Sequence, residues 1–212
     1  MQLIELKFIK LKEDSSSFLK KRKHFMEERK ELYEALNFSL FKSFFSFPKK
    51  QSKNVYVEVI TWKSLEEKKK LESQLQFSPI FQNYTSSFSV LGSYLIHPEN
   101  DALFDFKSLQ QEKYVIEFAV RTIKASKRKI FPQKKNEFLS TFRNHQGYIL
   151  DQEFKAMHQD KNVLFFIWDS EENFKKAGNK VKKSLKLILK TLQYFRLIKQ
   201  ENFQVGKYIK EV

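Results

Sequence analysis

The sequence predicts an α+β fold in which one β-α-β-β-α-β unit occurs twice within a chain of 212 residues. An apolar run ending in Trp-x-Ser-x-Glu occurs at Val57–Glu66 and returns at Val163–Glu172. Nearer the start of each half, Ile4-Glu5-Leu6 matches Ile116-Glu117-Phe118. Matches that recur in the same order in two halves of a chain are the signature of an internal repeat.

A third match lies at the end of each half, where Phe88–Leu95 corresponds to Phe203–Ile209 with one residue fewer. The three matches follow the same order in both halves. They therefore predict a duplicated domain, and each half can be interpreted with the help of the other.

In the first half, period-2 alternation predicts strands and apolar spacing of three or four predicts helices. Side-chain oxygens at Asp14–Ser17 and at Ser64 provide N-caps for the two helices. Strands are predicted at Leu3–Leu11, Phe38–Phe47, Asn54–Trp62 and Ser87–His97, helices at Ser17–Leu36 and Ser64–Gln76, and an aromatic connector at Phe77–Tyr84. This order is the split βαβ unit of ferredoxin-like folds.

The second half gives the same order with a longer second helix. Pro132 is accepted in the first turn of its first helix because the amide there is unpaired in any case. Strands are predicted at Tyr114–Ile123, Gly147–Met157, Asn162–Trp168 and Asn202–Val212, and helices at Pro132–Arg143 and Ser170–Ile198. Gly178-Asn179 is the predicted weak point of the long helix.

Residues 1–97 and 114–212 are therefore the two predicted ferredoxin-like repeats, the second with an extended second helix. Between them, residues 98–113 are polar, begin Pro-Glu-Asn-Asp and break both periodicities, which predicts a linker.

Composition bounds the class of protein. With 41% hydrophobic and 16% aromatic residues the chain can bury a substantial core. No apolar run approaches the ~20 residues that span a bilayer, so no membrane association is expected. Because there is no Cys, disulfides, thiol nucleophiles and thiolate metal sites are excluded. The N-terminus alternates like a strand and unlike a signal peptide, and we expect a cytoplasmic protein.

The net charge of +15 raises the question of a nucleic-acid partner. Residues 1–106 carry 17 Lys and Arg against 14 Asp and Glu, whereas residues 107–212 carry 23 against 11. Lys outnumbers Arg 34 to 6, although Arg is the better bidentate phosphate ligand. The third strands lack the glycines of RNA-binding sheets. We expect no specific nucleic-acid binding, only weak, salt-sensitive contacts.

At Trp62-Lys63-Ser64 and Trp168-Asp169-Ser170 the chain resembles the dimeric α+β barrel superfamily, which includes the antibiotic-biosynthesis-monooxygenase-like and stress-responsive barrel domains. The pattern continues in Val115–Phe118, the Phe138-Leu139 pair and Gly147-Tyr148-Ile149. The resemblance covers nearly the whole chain. It implies that the two antiparallel sheets pack face to face as an intramolecular α+β barrel with the helices outside, so that the protein is a monomeric pseudo-dimer, with further homodimerisation left open.

The resemblance also implies a function. Cofactor-independent monooxygenases of this superfamily act on aromatic or polyketide-like substrates, so we expect a small-molecule ligand and no cofactor. Heme-degrading relatives use a Trp and a His on and after the second helix. The corresponding positions here are Leu71 and Phe81 in the first half and Ala177 in the second, which argues against heme degradation.

Glu5 and Glu117 are the candidate catalytic residues because they occupy equivalent positions in the two first strands, among apolar neighbours. A carboxylate on a covered strand must be paired or have a raised pKa. The alternative is a structural pairing with Lys7, Arg121 or a backbone donor. Glu58 ranks lower because its counterpart is Leu164.

A ligand cavity is predicted between sheet and helices, because apolar cavities with a few polar groups are the usual binding sites. Its predicted lining residues are Trp62, Phe81, Tyr84, Tyr94, Trp168 and Tyr208. For the two Trp residues, which lie where a strand enters a helix, a purely structural role is the alternative.

No metal site is predicted. His24, His97, His145 and His158 are scattered, and no two of them have the spacing that places a metal between neighbouring helical side chains. A non-catalytic ligand-binding or protein-interaction scaffold is the competing function, since Glu58 against Leu164 and Leu71 against Ala177 show divergence between the halves.

The predicted helix at residues 170–198 is basic and amphipathic, a pattern that can also bind an acidic membrane. Its apolar row is what an outer helix needs to cover a sheet, so we expect Leu185 and Ile188 to pack on the protein's own sheet. The part beyond Gly178 has no predicted helical counterpart in the first half, which leaves covering a cavity mouth or a second chain as the alternatives.

Overall fold

The computed structural model describes residues 2–28, 37–46, 54–99 and 104–210. Within these ranges there are eight strands, which follow the predicted order, and six α-helices, two more than predicted. The strands are β1 (Leu3–Leu11), β2 (Phe38–Ser46), β3 (Val55–Trp62), β4 (Phe88–Pro98), β5 (Val115–Ile123), β6 (Tyr148–Ala156), β7 (Asn162–Trp168) and β8 (Ile198–Tyr208). The helices are α1 (Ser15–Glu28), α2 (Leu65–Leu75), α3 (Pro79–Ser86), α4 (Phe131–Arg143), α5 (Glu171–Lys183) and α6 (Leu185–Phe195).

The strands form one closed antiparallel barrel in the order β1-β3-β2-β8-β5-β7-β6-β4. Each half contributes a sheet of ferredoxin-like order, β4-β1-β3-β2 and β8-β5-β7-β6. Pairing of β2 with β8 and of β4 with β6 joins the two sheets and closes the barrel. The predicted intramolecular α+β barrel is confirmed.

Strand register confirms two of the three sequence matches. Leu3 pairs with Trp62 and Val115 with Trp168, so the two Trp motifs are structurally equivalent and Glu5 corresponds to Glu117. Both halves also carry a register shift at the same place, after Phe8 where β1 pairs with β4 and after Val120 where β5 pairs with β8. A shared bulge indicates that the two sheets bend alike.

The third match has the wrong register. Ile4 pairs with Ile96, whereas Ile116 pairs with Gly206, so Gly206 corresponds to Ile96 and not to Gly92. The sequence match is displaced by four residues. An even displacement keeps the side chains on the same faces of the sheet, so a short apolar alternation does not distinguish the two registers.

The barrel interior is filled by side chains from both halves, among them Phe8, Phe41, Phe118 and Phe165. The segment predicted as a polar linker contributes to this core, because Phe104, Phe106 and Leu109 are buried in the same cluster.

On the outside, helices cover both sheets, so strands such as β7 are apolar on both faces. Side chains from α1, α2 and α3 form one apolar cluster with the first sheet, and α4, α5 and α6 cover the second sheet. No helix within the described ranges is long and apolar enough to cross a membrane.

The prediction of one long helix at residues 170–198 is wrong. α5 and α6 are separate helices that meet at Ser184, whose extended backbone ends one and whose Oγ accepts the Leu187 amide of the next at 3.5 Å. Gly178, the predicted weak point, lies inside α5. Apolar residues continue at helical spacing on both sides of Ser184, so periodicity does not reveal the break.

The first half has the same helix pair, contrary to expectation. Residues predicted as the connector Phe77–Tyr84 mostly form α3, which Ser78 caps by accepting the Phe81 amide at 3.4 Å. α3 therefore corresponds to α6. In α6, Leu185 is 72% exposed, so its predicted packing on the sheet is wrong, whereas Ile188 is half-buried.

Candidate active site

Each half places a Glu carboxylate under a Trp indole where the third strand enters a helix. Trp62 Nε1 donates to Glu5 Oε2 at 3.1 Å, and Trp168 Nε1 donates to Glu117 Oε1 at 2.7 Å. The pairing follows from the register, because the Glu lies on the first strand and the Trp ends the strand beside it. The two halves therefore share one Trp–Glu pair, in different surroundings.

In the first half the carboxylate is neutralised by lysines. Lys7 Nζ lies 3.1 Å from Glu5 Oε1, and Lys68 Nζ lies 3.5 Å from Oε2. Burial alone would raise the pKa of Glu5, but the two ammonium groups and the indole outweigh it, so the pKa is lowered. Glu5 is thus a stable carboxylate in a structural cluster, which matches the alternative of pairing with Lys7.

In the second half both lysines are replaced by apolar residues. Ala119 takes the place of Lys7, two residues after the glutamate, and Phe174 takes the place of Lys68, six residues after the tryptophan. Burial raises the pKa of Glu117 to about 7, and the Trp168 hydrogen bond offsets only part of this effect. Arg121 is the partner of Glu153 and not of Glu117. Near neutral pH Glu117 can therefore both accept and release a proton.

Glu117 lies in a cavity of about 870 Å³ between the second sheet and α4, α5 and α6. The volume falls within the range of about 300–1,000 Å³ that is usual for small-molecule sites. Its walls are mainly aromatic and aliphatic, and exposed side chains form part of its rim. The lining residues are Phe45, Glu117, Ala119, Arg121, Phe138, Phe142, Leu164, Phe166, Trp168, Phe174, Ala177, Gly178, Val181, Lys182, Thr191, Leu192, Tyr194, Phe195, Gln200 and Phe203.

In the described residues of the first half, aromatic side chains pack against one another in the corresponding region. Phe25 stacks on Tyr84 with ring centroids 5.0 Å apart, and Phe18 stacks on the same ring at 5.9 Å. Leu71 fills the position that Ala177 occupies in the second half, nine residues after the tryptophan. Smaller residues in the second half, Ala119 and Ala177 above all, leave the space that becomes the cavity.

A buried polar network adds to this packing. The Tyr84 hydroxyl donates to Glu58, and Arg22 Nε lies 3.5 Å from the same carboxylate. Burial, together with the Glu58 charge, raises the pKa of Tyr84 well above its ordinary value. Leu164 replaces Glu58 in the second half, so the carboxylate of this network is missing at the equivalent position.

The residues predicted to line one ligand cavity do not come together. Trp62, Phe81 and Tyr84 belong to the outer cluster of the first half, and Tyr94 and Tyr208 pack with the barrel interior. Trp168 lines the cavity beside Glu117. The wrong grouping has a physical reason: it treated the two halves as one site, although each half has its own space between sheet and helices.

The predictions missed Tyr194 and Gln200 and considered Arg121 only as a possible partner of Glu117. All three line the cavity. For Arg121 the sequence did contain a signal. It follows Glu117 by four residues, so both side chains lie on the same covered face of the strand. Finding Tyr194 requires the correct register of β8: it lies four residues before Ile198, as Tyr84 does before Phe88.

The cavity lining does not fit a heme group with the usual His, Cys or Met axial ligand, because the described residues that line it include none of these types. Across the part of the chain that the structure describes, no three His, Asp or Glu side chains cluster as metal ligands would.

Solved structures with the same fold cover nearly the whole chain. An anthrone oxidase-like protein matches 99% of this chain and 92% of its own at 11% identity, with a TM-score of 0.63. A protein described as a "putative monooxygenase" from Fusobacterium nucleatum matches 99% and 94% at 12% identity, with a TM-score of 0.59. A mutant chlorite dismutase from Candidatus Nitrospira defluvii matches 99% and 91% at 10% identity, also with a TM-score of 0.59. Identities this low show the fold alone.

By sequence, no protein-family model matches the chain. No curated protein matches it either.

Proposed function

We propose that the protein binds an aromatic small molecule in the second-half cavity, and that Glu117 removes a proton from it so that O₂ can oxygenate it without a metal or flavin. One observation carries the proposal: a carboxyl group with a pKa of about 7 lies in the wall of an apolar cavity of about 870 Å³. A general base works best when its pKa is close to the operating pH.

The geometry suits proton abstraction. Trp168 holds Glu117 Oε1, and within the described residues Oε2 accepts no hydrogen bond. The fixed oxygen orients the carboxylate, while the other can accept a proton from a bound ligand. The apolar lining excludes water, which favours a diffuse carbanion over a solvated ion pair.

The reaction balances with O₂ as the oxidant. Glu117 takes a proton from a CH₂ group flanked by aromatic rings, and the carbanion passes one electron to O₂. The radical pair joins in a C–O bond, and Glu117 returns the proton to give a hydroperoxide. Loss of the second C–H proton breaks the O–O bond and releases hydroxide, which takes a proton to form water. The net change is CH₂ plus O₂ to C=O plus H₂O.

The resemblance to the dimeric α+β barrel superfamily supports this reaction class. The descriptions of two proteins with the same fold, an anthrone oxidase-like protein and a "putative monooxygenase", point in the same direction.

Oxygen uptake with anthrone as substrate tests the proposal. Wild type should consume O₂ in proportion to the anthraquinone formed, and Glu117→Gln should lower the rate by about 10²–10⁴-fold. Glu5→Gln is the matched control, because it removes the equivalent carboxylate, which is paired with lysines in the other half, and should retain turnover per folded molecule. Equal rates for wild type and Glu117→Gln would contradict the proposal.

A non-catalytic scaffold is the second candidate. The observation that favours it is a row of exposed apolar residues along α6, a surface that a partner could cover: Leu185, Leu189, Leu192 and Phe195. Turnover that depends on Glu117 would exclude a purely non-catalytic role.

A further inference from the structure

We infer that the cavity of the second half selects an aromatic molecule that carries an anionic group, which Arg121 and Tyr194 bind at the end of the cavity away from Glu117. This inference rests on the proposed function and names its substrate class. It follows from three properties of the cavity end that contains Arg121 and Tyr194: unused hydrogen-bond donors, net charge and position relative to Glu117.

Arg121 has donors that the described residues leave unused. Its side chain is fully buried and lines the cavity, and its Nη2 donates to Glu153. Nε and Nη1 are also buried, and neither has a hydrogen-bond partner within the described ranges. An unpaired buried donor is costly, and most such groups in proteins are paired. A ligand oxygen that accepts these donors would remove that cost.

The ring of Tyr194 holds the guanidinium in place. The Arg121 Cζ atom lies 5.5 Å from the centre of the Tyr194 ring and 5.6 Å from that of Phe131. The Tyr194 hydroxyl is buried beside Arg121 and lines the same cavity, and among the described residues it makes no hydrogen bond of ordinary geometry. Burial raises the pKa of Tyr194 to about 12, so the hydroxyl keeps its proton and remains a donor.

The charges near this end leave an excess of one positive charge. Arg121 pairs with Glu153, and Lys135 Nζ lies 3.5 Å from the same Glu153 carboxylate. Two cations therefore share one anion. Lys182 adds a further cation to the lining. Buried charges are stable when paired, so this end of the cavity favours an anion over a neutral group.

Position separates this anion-binding end from the proposed base. Glu117 and Arg121 lie on one strand four residues apart, a span of at most about 14 Å. Between them lie Ala119 and the aromatic walls. A fused aromatic ring system with a carboxylate at one end and its reactive carbon at the other would fill this space.

Calorimetric binding of two inert probes tests the inference separately from turnover. The probes are anthraquinone-2-carboxylate and anthraquinone-2-carboxamide, which share one ring system and have no acidic CH₂ group. Wild type should bind the carboxylate about 10–100-fold more tightly than the carboxamide, as expected for a buried charge-assisted contact. Tyr194→Phe should lower the preference several-fold.

Arg121→Met should abolish the preference. Because this variant removes the closer partner of Glu153, leaves only Lys135 beside it and could unfold the protein, a double variant is also needed. Arg121→Met with Glu153→Gln removes both charges and should also show no preference. Lys183→Met is the control, since it removes one exposed cation from α5 without touching the cavity, and should keep the wild-type preference.

Equal affinities for the two probes in wild type, a preference that survives the double variant, or binding of neither probe would each overturn the inference. The proposed function fails independently, through anthrone oxidation that does not depend on Glu117. A carboxylate preference in a protein whose Glu117→Gln variant keeps full turnover would uphold the anion site and reject the base.

Discussion

Lys7 and Ala119 occupy the same position in the two halves, two residues after Glu5 and Glu117, and they differ in both charge and volume. Lys7 forms an ion pair with Glu5 at 3.1 Å and fills the space beside it. Ala119 does neither, and among the described residues Glu117 forms no ion pair in its cavity. In one repeat the glutamate is thereby paired with lysine, and in the other there is room for a ligand beside it.

Replacing Ala119 tests this relationship. Ala119→Lys should give Glu117 the counter-ion that Glu5 has and lower its pKa from about 7 toward the ordinary value. Ala119→Met is the matched control, because it fills similar space without a charge and should leave the pKa raised. Both variants should block binding of anthraquinone-2-carboxylate in calorimetry. Unchanged affinity in both would show that the ligand does not occupy this cavity.

The stability of Glu117→Gln should depend on pH. The folded pKa of Glu117, about 7, lies above the ordinary value of 4.5, so wild type loses stability as pH rises between these two values. Glu117→Gln has no carboxyl group to ionise, so its stability should not fall in this way. It should be more stable than wild type by up to about 3 kcal/mol at pH 8. The difference should vanish below pH 4.5, which urea denaturation at several pH values can measure.

Glu5→Gln should show the opposite sign. The pKa of Glu5 is lowered in the folded state, so its carboxylate stabilises the fold above the ordinary value of 4.5 and less as pH falls through the folded pKa. The variant should therefore be less stable than wild type at pH 7, with a gap that narrows in acid. If both variants changed stability in the same direction at neutral pH, the assigned environments would be wrong.

Leu71 and Ala177 occupy equivalent positions in the two halves. Exchanging their sizes should therefore create space in the first half and remove it from the second. Leu71→Ala should cost about 2–5 kcal/mol, because it leaves a hole in a packed cluster. Ala177→Leu should fill the cavity wall, cost little stability and exclude the ligand. Thermal melts and probe titrations of both variants provide the comparison. A large loss of stability in Ala177→Leu would mean that the space is smaller than described.

The exposed row on α6 gives a prediction about packing. Leu185 is 72% exposed, so Leu185→Asp should change the free energy of unfolding by less than about 0.5 kcal/mol. Leu197→Ala, at a buried position just beyond the same helix, should cost about 2–5 kcal/mol. A large effect of Leu185→Asp in dilute monomeric protein would show that this part of α6 packs more deeply.

Most of the fold could be predicted from the sequence because the two repeats can be aligned on a shared motif. The Trp-x-Ser-x-Glu motif fixes where a strand ends and a helix begins, and the Ser64 and Ser170 side chains cap those helices as expected. With the motif aligned, Glu5 and Glu117 are correctly paired. The break at Ser184 was not predictable from periodicity, since both sides of it continue one apolar pattern.

The cavity could be predicted only in part. That a covered Glu needs a partner or a raised pKa follows from chemistry, and each glutamate shows one of these outcomes. Which half contains the space depends on how side chains fill it. The decisive differences between the repeats are Lys7 against Ala119 and Lys68 against Phe174. They are visible in the aligned sequences, but only the structure shows that these residues lie beside the glutamate.

Titration of the Glu117 carboxyl carbon by NMR tests the central claim most directly. The signal is assigned by its disappearance in Glu117→Gln, and Glu5 provides an internal comparison. The account predicts a midpoint for Glu117 near pH 7 and for Glu5 below 4.5, with the Glu117 midpoint changing when anthraquinone-2-carboxylate binds. A Glu117 midpoint near 4.5 that is indifferent to the probe would contradict it.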